Sequence, residues 1–221
     1  MSEPISIQDS TFLQEAKKAA TATTFLSDEP NRHKLNLNAA AATSYISGLY
    51  FGEVHGRGKS IDSIEDAVAC CKRAAHWMIR PDCKTSLVMN GNIGTGKSTL
   101  LKAMFRLAIL QNKKCMYITS DDVAKMKLEH PDSYDYVLSD WYEYIFLDDV
   151  GTEPIEVKSY GNATYPFVEI VRSRYDLGLP LIITTNLSYP KDFASIYGER
   201  IEDRLKEMSN SMLFKGSSYR K

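Results

Sequence analysis

Eight residues, Gly91-Asn92-Ile93-Gly94-Thr95-Gly96-Lys97-Ser98, carry glycine, glycine, lysine and serine at the spacing GxxxxGK[ST]. That spacing suits phosphate. Glycines let the backbone curl until successive N–H groups point inward at anionic oxygens. A helix opening at the same point adds its partial positive charge. Lys97 is then expected to reach the β- and γ-phosphates, and the Ser98 hydroxyl to ligate Mg²⁺, with Gly91 to Thr99 cradling the nucleotide. A chance glycine-rich turn would carry neither the preceding strand nor the following helix.

Two further apolar runs end in polar tips. Tyr144-Ile145-Phe146-Leu147 stops at Asp148-Asp149, and Leu181-Ile182-Ile183-Thr184-Thr185 stops at Asn186. A buried strand can present carboxylates only at its exposed end, where parallel sheets bind ligands. Asp148 is expected to hold Mg²⁺, and Asp149 to orient and polarise an attacking water. Asn186 is expected beside the γ-phosphate, where an amide can bond both phosphate and water. Each tip, taken alone, is also compatible with an ordinary turn. Arg200 and Arg204, at i and i+4 in GERIEDRL, share one helix face beside the packed Ile201 and Leu205. Their own acidic neighbours leave a solvated face as an alternative.

The elements that must position these residues alternate. Strands are read at 86–89, 115–119, 144–147, 181–185 and 212–214. Helices are read at 97–111, 121–129 (ended by Pro131), 166–177 and 191–208, the last open to a break at Gly198. Upstream, Ser63 and Asp66 start a capped helix that runs to Ile79. Its His76 and Trp77 are candidates for packing or for facing a base. This alternation argues for a mostly parallel sheet covered on both faces. Residues 46–62 read as a glycine-rich stretch carrying Arg57 and Lys59, and a helix is plausible at 11–24. The first 45 residues offer too few large apolar side chains for a core of their own.

Composition sets limits. The chain has 221 residues, with 27 Lys plus Arg against 28 Asp plus Glu, a net charge of −1. Nucleic-acid binding by bulk charge is thereby disfavoured, so any such contact must be local. No apolar run approaches the ~20 residues of a membrane span. No basic stretch precedes an apolar one at the N-terminus, so no secretory signal is expected. Cys70, Cys71, Cys83 and Cys115 form no CxxC pair, and are read as reduced thiols of a cytoplasmic protein.

The ordered set GNIGTGKST, YIFLDDVGTEP, LIITTN, YGERIEDRL and SSYRK resembles the DnaC/IstB group of AAA+ ATPases. These are bacterial replicative helicase loaders and related transposition helper ATPases. The resemblance covers about residues 85–221. It implies a P-loop sheet of strand order 5-1-4-3-2 and no C-terminal helical lid, since few residues follow Asn186. It implies ATP and Mg²⁺ as cofactors and slow ATP hydrolysis. Asn186 becomes a sensor, Arg204 a finger for a neighbouring subunit's nucleotide with Arg200 beside it, and Arg220 a second sensor after Tyr219. The implied partners are a replicative helicase, single-stranded DNA and further copies of the chain. Lys125, Lys127 and Tyr134 are candidate DNA contacts or a solvated helix face. The expected organisation is an N-terminal partner-binding or mobile region over 1–60 and an ATPase domain over 61–221. A transposition helper and a small-molecule P-loop kinase are the competing functions. Asp-Asp replaces the commoner Asp-Glu at the third strand, which leaves a non-hydrolysing ATP-switched module open as well.

Overall fold

The computed structural model describes residues 33–58, 61, 63–159 and 162–214. Five parallel strands form its sheet: β1 (Ser86–Gly91), β2 (Cys115–Thr119), β3 (Tyr144–Val150), β6 (Leu181–Thr185) and β7 (Ser209–Phe214). A short antiparallel hairpin, β4 (Val157–Ser159) and β5 (Asn162–Thr164), stands apart from it. The order across the sheet is β2-β3-β6-β1-β7. With the sheet strands counted alone along the chain, this is the 5-1-4-3-2 order expected from sequence.

Helices cover both faces. On one lie α1 (Ala39–Gly56), α2 (Ile64–Ile79) and α3 (Lys97–Leu110), packed on Leu87, Met89, Tyr144, Phe146, Ile182 and Met212. On the other lie α4 (Ser120–Glu129), α5 (Pro131–Leu138), α6 (Pro166–Leu177), α7 (Lys191–Tyr197) and α8 (Glu199–Met208), packed on Val88, Ile145, Leu147, Leu181 and Ile183. Alternate residues of each central strand thus feed opposite cores, which is why these strands read as continuous apolar runs. No helix among the described residues is long and apolar enough to cross a membrane.

Capping follows the sequence closely. The Ser63 hydroxyl accepts from the Asp66 N–H at 3.2 Å, and Thr119 does the same for Asp122 at 3.1 Å. Gly198 separates α7 from α8. Pro131 ends one helix and also opens the next as its first residue, where its missing N–H costs nothing. Arg174, fully buried, donates to the carbonyls of Tyr142, Glu143 and Pro180 at 2.9, 2.7 and 3.1 Å. These bonds fix the approaches to β3 and β6.

Helix α1 differs from expectation. Residues 46–56 read as a glycine-rich stretch, yet they belong to an 18-residue helix capped by Asn38. Ala42, Ile46, Tyr50 and Val54 recur every fourth residue and are buried in the core of α2 and α3. Gly48, Gly52 and Gly56 recur at the same interval about half a turn away. A Cβ at any of the three would meet nothing within 4 Å. The glycines therefore weaken the helix without serving its packing, and the tertiary contacts override them. The helix expected at 11–24 lies outside the described residues.

Replacing Ile46 by alanine should cost about 2–5 kcal/mol, the range for emptying a fully buried aliphatic site. Urea unfolding of the variant, followed by circular dichroism, checks it. A loss below about 0.5 kcal/mol, the surface value, would mean α1 is not part of the core.

Candidate functional site

The phosphate-loop sequence forms the loop between β1 and α3, and its glycines take backbone angles other residues resist. Gly91 has φ +145°, and a Cβ there would lie 2.3 Å from the Phe214 carbonyl oxygen. Gly94 and Gly96 have φ of 80° and 91°, and Gly96 caps α3. Loop and helix end border a pocket of about 480 Å³ walled by residues 93–99, Asp149, Thr152, Asn186, Val54 and Arg57.

Three strand ends meet here. Lys97, only 4% exposed, donates from Nζ to the carbonyls of Gly91 and Asn92 at 2.8 and 2.7 Å. Its third bond goes to Asn186 Oδ1 at 2.9 Å. The residue from β1's loop and the residue after β6 are therefore in direct contact. Asp149 reaches the same pocket from β3.

The two carboxylates are held differently. Between Leu147 and Val150 the register of β3 against β6 slips, so Asp148 and Asp149 together face Thr184. Such a bulge re-aims side chains, and Asp149 adopts φ +57°. Asp148 is buried, with Oδ2 accepting from the Tyr117 hydroxyl at 2.5 Å and Oδ1 accepting from Thr184. Burial, then the bond to Asp148, pushes the Tyr117 phenol up, so it stays a donor. The Asp149 N–H donates to Thr184 Oγ1 at 2.9 Å. Its carbonyl accepts from Ser120 and Thr152 hydroxyls at 2.8 and 2.9 Å. Asp149 borders the pocket, whereas Asp148 does not.

Of the remaining expected site residues, Ser98 and Thr99 border the pocket half-buried. Arg200 is exposed on α8. Arg204 stacks on the Tyr175 ring at 4.9 Å and lies 3.7 Å from Asp176. Neither arginine borders the pocket of its own chain. Arg220 lies outside the described residues. Tyr134, expected as a candidate DNA contact, is fully buried and donates to Glu169 at 3.0 Å. Lys127 pairs with the same Glu169 at 3.0 Å and lies over the Tyr134 ring, so both serve packing between α4, α5 and α6. Lys125 is exposed beside Asp122. Trp77 is buried with its indole N–H on the Lys84 carbonyl, and like His76 it lies away from this pocket.

Residues that motif reading did not assign to the site complete its walls. Val54 and Arg57 come from the end of α1. Arg57 bonds Glu53 at 2.5 Å and thereby holds its carboxyl below the usual carboxylate range. Thr152, Thr184, Ser120 and Tyr117 order the carboxylates. The only sequence signal for Arg57 was a cation in a glycine-rich stretch. The hydroxyls carried none, because serine and threonine are common everywhere.

No protein-family profile matches the sequence, and no curated protein matches it significantly. Solved structures do match in fold. The DnaC helicase loader superposes with a TM-score of 0.55 at 20% identity, covering 71% of this chain and 94% of that one. DnaI gives 0.56 at 18%, covering 73% and 88%. AMPPCP-bound DnaA from Aquifex aeolicus gives 0.52 at 19%, covering 70% of this chain and 48% of that one, so this chain spans about half of DnaA. Another DnaA match holds AMPPCP and single-stranded DNA. The fold is thus the P-loop α/β fold that these replication AAA+ proteins share.

Lys97→Ala should abolish tight nucleotide binding. Losing a buried, hydrogen-bonded charge of this kind costs about 2–5 kcal/mol, at least a thirtyfold weaker Kd. Titration with a fluorescent ATP analogue, beside a melting curve showing a retained fold, checks this; unchanged affinity would remove Lys97 from the site.

Proposed function

We propose that this chain is an ATPase of DNA replication that binds ATP with Mg²⁺ and hydrolyses it to ADP and phosphate. We take it to act as a loader on a replicative helicase and single-stranded DNA, in the cytoplasm. The observation that carries the nucleotide part is the convergence of Lys97, Asn186 and Asp149 from three neighbouring strand ends on one pocket. The replication part rests on likeness in fold to DnaC and DnaI, together with the motif order.

Lys97 here satisfies itself on three oxygens, two backbone carbonyls and the Asn186 amide. In the proposed reading, phosphate oxygens replace these acceptors. The Asn186 amide is then released to bond the γ-phosphate and the attacking water. Asp149, turned toward the pocket by the bulge, accepts a hydrogen bond from that water and orients it in line. Backbone N–H groups of residues 94–98 hold the remaining phosphate charge without reorganisation. Ser98 and Asp148 are the proposed Mg²⁺ holders. Hydroxyl and carboxylate are the hard oxygen donors this ion takes, and Asp148 keeps acceptor sites beyond its two hydroxyl bonds. When bound, the ion would neutralise charge on the β- and γ-phosphates.

Arg204, with Arg200 beside it, is proposed to reach the nucleotide of a neighbouring copy, and Arg220 to act as a second sensor. The region up to residue 60 is proposed to carry the partner contact, through its part preceding α1.

Two measurements test this. Asp149→Asn should keep nucleotide affinity and lose turnover by about 10²–10⁴-fold, the span for removing a general base. Phosphate release, measured without any acceptor and with single-stranded DNA added, reads it. Loss of Mg²⁺-dependent binding instead would make Asp149 the metal ligand. Unchanged turnover would remove it from catalysis. Arg204→Ala should bind ATP normally yet show no rise in specific activity with protein concentration. Mixing it with Lys97→Ala protein should restore part of the activity, since one interface then has both intact halves. No rescue between two folded variants would exclude a finger acting in trans.

A further inference from the structure

A second cavity, of about 420 Å³, opens beside α2, the turn after it and the edge strand β7. It shares no residue with the nucleotide pocket. Its wall includes Lys72, Arg73, His76, Trp77, Cys83 and Met212. The floor is apolar, one rim is cationic, and a thiol stands next to an imidazole. Cys83 Sγ lies 4.0 Å from His76 Nδ1. Lys72, Arg73 and His76 are all exposed, one turn or less apart on α2. Asp82, beside Cys83 in sequence, is bonded by Arg80 at 2.8 and 3.0 Å, and its carboxylate also acts on His76 and Lys34. The cations of Lys72 and Arg73 stand on the opposite side of His76 along the chain.

Burial pushes the Cys70 thiol up, that of Cys71 to about 11 and that of Cys115 to about 12. Each of these is poor in the thiolate form that reacts. Lys34, over the Trp77 ring at 3.9 Å, adds another cation near the cavity. Burial lowers its ammonium to about 8, against the opposing field of Cys83 and Asp82.

We propose that Cys83 is a modification site that takes small anionic disulfides, of the glutathione-disulfide class, by thiol–disulfide exchange. His76 Nδ1 accepts the Cys83 thiol proton. The freed sulfur electron pair bonds to one sulfur of the disulfide. The old S–S bond breaks, and its electron pair leaves on the other half as a thiolate, which takes the proton back from His76. The protein thiol is oxidised, the small disulfide is reduced, and no other reactant enters. Lys72 and Arg73 meet the carboxylates of the incoming molecule.

The test uses the full-length, fully reduced protein. It is exposed separately to glutathione disulfide and to neutral bis-hydroxyethyl disulfide, and peptide mass spectrometry follows each cysteine with time. Cys83 should be modified ahead of Cys70, Cys71 and Cys115 by both reagents. Lys72→Gln should slow the anionic reagent on the order of tenfold, the lower end of electrostatic steering, and spare the neutral one. His76→Gln should slow both. The wild-type protein gives a measure free of any variant: its anionic-to-neutral rate ratio at Cys83 should exceed that of free cysteine and fall as salt rises. A ratio equal to that of free cysteine would overturn the anion site. Modification of Cys70 as fast as Cys83 would overturn the thiol assignment.

Discussion

The candidate site turns on one hydroxyl. Thr184, in the middle of the sheet, donates to Asp148 and accepts from the Asp149 N–H. Two successive residues of β3 are thus tied to one residue of β6. That pairing is possible only because β3 carries an extra residue there, and the extra residue forces Asp149 to positive φ. A non-glycine residue in that region costs about 1–3 kcal/mol and persists where its surroundings determine it. Here Ser120 and Thr152 hold its carbonyl as well. The consequence is a division of labour between adjacent carboxylates. Asp148 is buried on two hydroxyls, and Asp149 is exposed to the pocket.

Parallel pairing extends this locally built arrangement into a site. β1 and β3 both pair with β6, with Val88 and Leu147 each opposite Ile183. All three strands therefore end at one level. The loop after β1, the bulge of β3 and Asn186 after β6 must then face a common space. Helix α3 starts in that space, and its dipole and loose N–H groups favour an anion. Lys97 reaches into that space, where its ammonium bonds two backbone carbonyls and the Asn186 amide oxygen.

Much of this was legible in the residues. The strands and the helices of the second half announce themselves by period, because buried parallel strands admit little but apolar residues. Gly91 and Gly96 are legible because few other residues fit the positive φ and close approach that the curled loop requires. Three things were hidden. Helix α1 was masked by Gly48, Gly52 and Gly56 on a face where an added Cβ would meet nothing within 4 Å, while its buried stripe looked sparse. The bulge leaves no mark, because Asp148-Asp149 reads the same in a straight strand as in a kinked one. Tyr134 and Lys127 looked like surface groups by type, and only packing against Glu169 reveals Tyr134 as interior and Lys127 as half-buried. Contacts between distant segments decide all three, and a local pattern does not encode them.

The same distinction between strong and weak holding bears on Arg204. Its contacts within the chain are slight. The pair with Asp176 is 3.7 Å long and half in solvent, of a kind worth about 0–1 kcal/mol. The ring of Tyr175 adds about 0.5–1 kcal/mol. Against these, Arg204 Nη1 is buried and makes no hydrogen bond, a condition that costs about 1–3 kcal/mol. Its contacts within the chain therefore hold the guanidinium only weakly. Arg174 on α6 shows the contrast, with three short carbonyl bonds that hold it in place although its own Nε is also buried without a bond. Arg174 is fully buried, whereas the Arg204 side chain is about one-third exposed. One is fixed as part of the scaffold. The other rests on the surface of the chain, its guanidinium over the Tyr175 ring.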